Sequence, residues 1–542
     1  MDKSGSRPSM SSDMDNFASK IDLSLGWTRV KRDFSDLRTF TEHPFELEIV
    51  ESDIDQWLGS IRSRIEDIYN PGPSRLVGIP KPYGGIRPGA NLVLSDQVVF
   101  AALLQVLRRQ IQPALEWSSP SKDYAYRLKK EQSHAEWFEF YFTRWKAFDH
   151  DSLARLNKEA STVVTADIAG YYEQIDLTTL NSDLRSLNVC PESLALLMKC
   201  LNRWARVQGR GIPQGFSASD ILGKLYLNSV DQALADNGVD HVRWVDDFRL
   251  FCKSNSEARE QLALLIDLLS ARGLVVQSAK TRIIPAIDAK VRFHQVHAVL
   301  EPIRKSFISQ LVDSGILVGP SASAALVDEL LSKVDADEPV EILKEAFDTH
   351  FVNSSDEFNK TLLRYLLKRL GSARDPHAYK ESVTYLWRYP EETASVLRYI
   401  SAIDEVLNAE VYWLNLISNR SIPYAYQIYQ FLRWRFGEAV KPTDDYLRWV
   451  RLLASKPSQL SVVRSFARAT LARWGTQADL ANLQSSYADA SSDLERAEIV
   501  RCLTGMEKGR RNAFLSRLAE DGQLTSMATK LTRQERLPWV AI

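Results

Sequence analysis

The sequence predicts an α+β domain followed by an all-α one, and three observations carry that prediction. From about residue 75 to 300, short β-branched runs alternate with helical stretches and Gly/Pro-rich turns. From about 301 onward strand signals nearly vanish, and Leu, Ala, Trp and Tyr recur at helical spacing. In that half Leu363-Arg364-Tyr365, Leu397-Arg398-Tyr399 and Leu432-Arg433-Trp434 recur at 34 and 35 residues, with Leu447-Arg448-Trp449 out of phase. A period near 35 residues fits HEAT-like stacked helical hairpins, each burying its apolar face on the next. An irregular helical bundle is the other reading. The expected domains are a flexible tail over 1–25, a mixed domain over 26–300 and a helical repeat domain over 301–542.

Bulk composition narrows the function only a little. The chain has 542 residues, 45% hydrophobic and 25% charged, which is an ordinary globular mixture. Its net charge of -1 means that any affinity for nucleic acid must come from local basic surface. Residues Met1 to Asn16 are Ser- and Asp-rich without the apolar stretch of a signal peptide. No apolar run approaches the ~20 residues that span a bilayer. Leu262 to Leu269, interrupted by Asp267, fits an amphipathic helix. A cytoplasmic location without a membrane is therefore expected. Cys190, Cys200, Cys252 and Cys502 show no C-x-x-C spacing, so reduced thiols are expected in place of zinc ligands or disulfides.

The segment from His241 to Phe251 partly alternates apolar and polar residues around Asp246-Asp247, the pattern of a β-hairpin with acids at its tip. Adjacent carboxylates at a tight turn repel each other unless cations sit there. An Asp-Asp pair alone is usually a solvated loop, and Asp444-Asp445, after Pro442 and before a helical run, is expected to be an N-cap. The pair at the hairpin has company. Thr162 to Ile168 is a β-branched run carrying Asp167, and Ala169-Gly170-Tyr171-Tyr172 turns the chain into a helix. Three converging carboxylates could hold two divalent ions, one activating a hydroxyl and one steadying a leaving pyrophosphate. Hard oxygen ligands suit that work, which is why Asp serves where His or Cys would not. Between the acids, Gly209-Arg210-Gly211-Ile212-Pro213-Gln214-Gly215 allows close backbone approach to a ligand. A helix is expected from about Ser217, with Ile221, Leu222, Leu225 and Tyr226 on one face.

In this order the segments resemble the palm motifs of reverse transcriptases. The Asp167 strand resembles motif A, Gly211-Ile212-Pro213-Gln214-Gly215 motif B, and Val245-Asp246-Asp247 motif C. Gly273-Leu274-Val275-Val276 with Lys280-Thr281 resembles motif D. Upstream, Pro80 to Pro88 with Asp96-Gln97-Val98-Val99, and then Tyr124-Ala125-Tyr126-Arg127, resemble fingers motifs of bacterial enzymes. The likeness runs over roughly residues 75 to 285. It implies Asp167, Asp246, Asp247 and the Ile168 carbonyl around two Mg2+ ions, with Mn2+ as a substitute, and Lys280 as the acid that protonates pyrophosphate. It implies Lys81, Arg87, Tyr171, Tyr172, Gln214 and Gly215 around the nucleotide. Tyr172 would crowd a ribose 2′-hydroxyl and select dNTPs; a core aromatic is the competing reading. Lys81 and Lys280 are equally readable as surface lysines. Lys199, Arg203, Arg206, Arg210, Arg282, Lys290 and Arg292 could line a duplex path, with Trp204 stacking on a base, or be solvated helix faces.

Trp244 departs from the Tyr or Phe usual before the acids. HNH, RNase H, zinc-tail and retron signatures are absent from the sequence. What remains resembles the bacterial abortive-infection and defence-associated "unknown group" reverse transcriptases, with Trp145-Lys146-Ala147-Phe148 similar to a Trp-x-x-Phe element of that clade. That likeness implies DNA synthesis in antiphage defence, template-independent or primed on a protein hydroxyl. It also implies a trimer or hexamer, a DNA product and a non-coding or template RNA as partner. Tyr424, Tyr426 and Tyr429 are among the candidate priming tyrosines, each also readable as a packing residue. A templated enzyme of a mobile element, an RNA-directed RNA polymerase and a catalytically silent nucleic-acid scaffold are the alternatives. Tyr172 speaks against ribonucleotide use, and the intact acids with Lys280 speak against the scaffold.

Overall fold

The computed structural model describes residues 17–35, 41–117, 122–131, 135–158, 160–293, 300, 302–303, 339–353, 358–419, 422, 424–456, 460–518 and 521–537. They divide into two compact units: residues up to 42, 54–77 and 88–293 form one, and 43–53, 78–87 and 294–542 the other. Of the stretch 1–25 expected as a tail, 1–16 lie outside the described residues. Phe17, Ala18, Ile21 and Leu23 are buried, because their spacing makes one apolar face that leads into helix α1, Leu23–Ser35. The boundary expected at 300/301 falls in 294–338, of which only 300, 302 and 303 are described.

The first unit is built on a four-stranded antiparallel sheet of order β4-β5-β3-β6: β3 Thr162–Asp167, β4 His241–Trp244, β5 Asp247–Cys252 and β6 Arg282–Pro285. A separate two-stranded ribbon joins β1 Arg75–Pro80 to β2 Ile86–Asn91. Around them run α2 Leu94–Glu116, α3 Tyr141–Leu156, α4 Tyr171–Gln174, α5 Ser217–Tyr226, α6 Asn228–Asp236, α7 Asn255–Ala271 and α8 Ala286–Phe293. Strand residues alternate between faces. With the observed register, Val163, Thr165 and Asp167 therefore share one face with Phe251, Arg249 and Asp247, and with Val242 and Trp244. The opposite face, with His241, Arg243, Phe248 and Leu250, is buried under α5, α6 and α7. Helix α5 starts at Ser217 as expected, but all ten of its residues are buried, so it has no solvent face. Helix α7 contains Leu262 to Leu269 and buries Leu265 and Leu269.

The second unit continues with helices α9 Lys360–Ser372, α10 Thr393–Ala402, α11 Val406–Asn419, α12 Ala425–Gly437, α13 Asp444–Ser455, α14 Ser461–Trp474, α15 Gln477–Ser485, α16 Asp493–Cys502 and α17 Gln523–Arg533. Helices α10, α12, α14, α16 and α17 pack in succession, while α11, α13 and α15 intervene in the chain. That alternation is how stacked helical hairpins pack. It explains the out-of-phase tripeptide: Leu363, Leu397 and Leu432 are buried in the first layer, and Leu447 is buried on the intervening α13. Arg–carboxylate pairs link steps of the stack: Arg364 with Glu392, Arg451 with Asp479, and Arg468 with Glu495, each at 2.7 Å. Glu410 of α11 accepts from Arg435 of α12 at 2.6 Å and from the amide and hydroxyl of Thr443 at 2.8 and 2.6 Å. Thr443 is the cap of α13, correcting the expectation for Asp444 and Asp445, which instead favour the positive helix end from the first turn. The short helix Glu46–Glu51 packs on α16 and α17 within this unit, where Arg501 reaches Glu48 at 2.6 Å.

Cys200, Cys252 and Cys502 are buried and unbridged, whereas Cys190 is partly exposed. No helix among the described residues is long and apolar enough to cross a membrane.

Candidate active site

Strand β3 is β-branched and buried on both faces, and it ends on Asp167. The register puts Asp167 directly opposite Asp247, the first residue of β5. The two acids, 80 residues apart in sequence, thereby meet across two hydrogen-bonded strands. The hairpin that carries Asp247 turns through Val245 and Asp246 alone, because Trp244 already pairs with Asp247. Such tight turns need positive φ, and Val245 supplies it at φ 56°. A β-branched residue there is strained by about 1–3 kcal/mol, and the surrounding structure holds it in place. Arg243, 1% exposed, donates to the Val245 carbonyl at 2.7 Å. The same guanidinium contacts Asp231 of α6 at 2.5 Å and Asp123 at 2.8 Å. Lys224 of α5 completes the array, 2.5 Å from Asp123 and donating to the Ala125 carbonyl at 2.8 Å. Burial works against the Arg243 charge, but Asp123 and Asp231 outweigh it and raise its pKa, while the Asp231 carboxyl is held low chiefly by Arg243 against the cost of burial. Sequence reasoning missed this brace. Its one signal was an arginine three residues before the acids, on a strand face that the alternation makes inward.

Desolvation, the charges of Asp246 and Asp167, and a hydrogen bond with Asp167 push the Asp247 carboxyl up to about 7. Because Asp247 keeps exposed surface, repulsion among the acids carries that shift more than loss of water does. Lys280 follows the motif D segment, whose backbone extends β3. The Ala169 amide donates to the Val275 carbonyl at 2.8 Å, and the Gln277 amide to the Asp167 carbonyl at 2.7 Å. The Lys280 ammonium then reaches Asp167 Oδ2 at 2.9 Å, with 65% of its side chain exposed. Burial lowers its pKa, but Asp167, Asp247 and Asp246 together raise it above the ordinary lysine value. Backbone groups of successive residues point to opposite edges of an extended strand. Since the Asp167 carbonyl faces the motif D side, the Ile168 carbonyl faces the hairpin side, where Asp246 and Asp247 stand.

No group of three or more His, Cys, Asp or Glu side chains among the described residues is gathered closely enough to hold a metal ion by itself. The donor set nevertheless suits hard divalent cations, since its oxygens crowd to the point of proton uptake, and Lys280 already balances part of the charge.

Helix α4 places two aromatic rings behind Asp167. Tyr171 and Tyr172 are buried; the Tyr171 hydroxyl donates to the Gly223 carbonyl, and the Tyr172 hydroxyl to Asp220 Oδ1 at 2.6 Å. Both partners lie on α5, so the rings are fixed walls. The Gly209–Gly215 loop crosses α4: the Gly211 amide donates to the Ile175 carbonyl at 2.8 Å, and the Ile212 amide to the Tyr172 carbonyl at 2.9 Å. Glycine is required at 211, where φ is +94° and a Cβ would stand 3.2 Å from the Glu173 carbonyl oxygen. Gly215 also has positive φ, 109°. The Gln214 carbonyl accepts from the Ala90 amide at 3.3 Å, tying the loop to β2. A cavity of about 270 Å³ opens there, lined by Ser74, Pro88, Ala90, Glu173, Arg210 and Gln214 among others.

The acids, Lys280, Tyr171, Tyr172, Gln214 and Gly215 thus share the first unit. Lys81 and Arg87 flank the turn of the β1–β2 ribbon in the segment 78–87 grouped with the second unit; the Lys81 amide donates to the Gly85 carbonyl at 2.8 Å, and Arg87 is exposed. The base-stacking expectation for Trp204 is corrected: it is buried against Phe100, and its indole N–H donates to Asp96 at 3.2 Å. Tyr429 is likewise a packing residue, buried against Phe466.

Residues 79–293 match the family described as Reverse transcriptase (RNA-dependent DNA polymerase). This part of the chain is similar to reverse-transcriptase domains. Protein YkfC of Escherichia coli (strain K12) is 25% identical over 172 residues, which are 31% of this chain and 42% of that protein. The chain thus spans less than half the length of that relative. Among solved structures, telomerase from Candida albicans in complex with the TWJ fragment of telomeric RNA aligns over 74% of this chain and 68% of that one, at 13% identity and TM-score 0.32. Apo telomerase from Candida Tropicalis truncated from its C-terminal domain aligns over 40% of this chain and 51% of that one, at 14% identity and TM-score 0.29.

Proposed function

We propose that the chain is a reverse-transcriptase-like DNA polymerase that joins dNTPs to a primer 3′-hydroxyl or to a protein hydroxyl. The observation that carries this reading is the pairing of Asp167 with Asp247 beside the Asp246 turn, with Lys280 on Asp167. Asp167, Asp246, Asp247 and the Ile168 carbonyl would hold two Mg2+ or Mn2+ ions. Bound there, the ions would lower the pKa of the attacking hydroxyl and neutralise charge on the leaving pyrophosphate. Lys280, whose ammonium lies 2.9 Å from Asp167 Oδ2, would donate its proton to the leaving pyrophosphate, and the neighbouring acids would keep the amine protonated until then. Tyr172, pinned by Asp220, would form the wall that a ribose 2′-hydroxyl cannot pass. Gln214 and Gly215 would shape the nucleotide pocket, with Tyr171 behind it and Lys81 and Arg87 of the ribbon gripping phosphates.

The likeness to defence-associated bacterial enzymes supports a finer reading. The chain would act in the bacterial cytoplasm in antiphage defence, with a DNA product, a template or non-coding RNA as partner, and trimers or hexamers as the working form. Its domains would be fingers and palm up to 300 and the helical repeat over 301–542, with the tail ending before the buried Phe17.

Purified full-length chain is given Mg2+ with labelled dNTPs or NTPs, and the product is digested with DNase or RNase. The expected product is DNA, lost in Asp246→Asn and Asp247→Asn, with phage protection lost in the same variants. Preferential NTP use would make the enzyme an RNA polymerase. Unchanged synthesis in both variants would remove the polymerase reading.

A further inference from the structure

The acid-bearing face of the sheet is not open along its whole length. Its lower part is covered by α3, whose Phe148 and Leu156 pack with Val163, Val242, Trp244 and Phe251. The N-terminal end of that helix reaches the acids. Tyr141 stands edge-to-face on Trp244, with centroids 5.1 Å apart and planes at 89°. Trp145 does the same at 4.9 Å and 82°, and lies parallel to Tyr141 within 7°. Trp244 is paired with Asp247 across the hairpin, so the chain of ring contacts ends one residue pair from the acids. The Trp145-x-x-Phe148 element noted in the sequence is thus the support beneath Trp244.

Above that support the rings are bare. Among the large apolar side chains exposed in the described residues, the two most exposed aromatic ones are neighbours: Phe140 at 72% and Tyr141 at 56%. Phe140 caps α3 and Tyr141 is its first residue, so both rings are offered to solvent at that helix end. Exposed rings at such a place bind single-stranded nucleic acid by stacking on its bases. The position also selects which nucleotide can lie there. Tyr171 and Tyr172 follow β3, on one side of the acids, whereas Trp244 ends the edge strand β4 on the other.

We infer that Phe140 and Tyr141 form a stacking platform for the 3′-terminal base of the strand being extended. The inference rests on the polymerase reading for the direction of the strand, but not for the stacking itself. The platform explains how a free strand end could be held at the acids by its last base alone, whatever its sequence, since every base offers a π face.

Single-stranded DNA carrying 2-aminopurine at its 3′ end, or at an internal position, is titrated with full-length chain without nucleotide. Saturable quenching of the terminal probe, stronger than of the internal one, is expected. Tyr141→Ala and Phe140→Ala should each weaken binding by about tenfold and restore terminal fluorescence. Tyr141→Phe should behave as the parent, because stacking needs the ring and not the hydroxyl. Parental binding and quenching in both alanine variants, or equal quenching of the internal probe, would overturn the platform. dNTP incorporation by the parent is scored separately. If it is absent while terminal quenching persists, the polymerase reading fails and the platform stands. If it is present with an unchanged KM for the strand in both alanine variants, the platform fails and the polymerase reading stands.

Discussion

Carboxylates meet opposite company in the two units. In the helical stack each acid described above has an arginine or a cap: Glu410 has Arg435 and Thr443, and Glu495 has Arg468 and the Ser491 amide and hydroxyl. Although burial alone would raise it, the Glu495 carboxyl is brought to about 2, and Asp479 is brought to about 2, chiefly by Arg451. At the hairpin Asp247 faces other acids and is driven to about 7. The same unit does build a satisfied pair array, Arg243 with Asp231 and Asp123, but uses it to hold a strained turn. Acids that hold a fold are stabilised where they stand, whereas the hairpin acids are left in conflict, as acids awaiting a cation would be.

The largest expected test of that contrast is charge removal at the hairpin. Asp247→Asn should cut nucleotide incorporation by about a thousandfold, the worth of several kcal/mol of lost charge stabilisation. It should leave the metal-free chain as stable as before or more so, measured by urea unfolding. A stability loss comparable to that from a broken buried pair would mean that Asp247 is structural after all. Next in size, Glu410→Ala should cost the helical unit about 3–5 kcal/mol by leaving Arg435 buried and unpaired. Arg243→Ala should cost the first unit a similar amount and lower incorporation as well, while Glu410→Ala leaves the chemistry of the remaining folded molecules unchanged. Third, Val245→Gly should cost no more than about 1 kcal/mol, because glycine relieves the positive φ. Val242→Gly, in extended buried backbone, should cost about 3 kcal/mol. Equal costs at both positions would remove the claim of strain.

The smallest effect is in pH. For Glu495 and Asp479, whose folded pKa lies below the unfolded one, stability is fully present above about 4.5. It should be lost as pH falls towards 2. For Asp247, whose folded pKa is raised to about 7 from 3.8, the folded chain keeps a proton that the unfolded chain gives up. Its contribution should weaken as pH rises from about 4 through 7. Mg2+ should abolish that second slope and leave the first, which calorimetry with and without the ion would detect.

Much of this was legible before any coordinates. Alternation around Asp246-Asp247 announced a hairpin, and the β-branched run to Asp167 a strand. The 34- and 35-residue echo fitted a stack or an irregular bundle, and only the packing put the out-of-phase tripeptide on an intervening helix. Single-residue exposure was less legible. Trp204 looked like a stacking ring and is buried, while Phe140 and Tyr141 went unremarked and are bare. Arg243 looked like one more basic residue of a strand.

Sequence alone determined the element types and the order of the acid-bearing segments, because periodicity, β-branching and glycine spacing act within a few residues. Only the tertiary structure decided that Asp167 pairs with Asp247, that Arg243 braces the turn, and that α3 lies across the acid-bearing face. Strand register, the desolvation of a charge and the exposure of a ring depend on neighbours 80 or more residues away in some of these cases, and no local pattern encodes such partners.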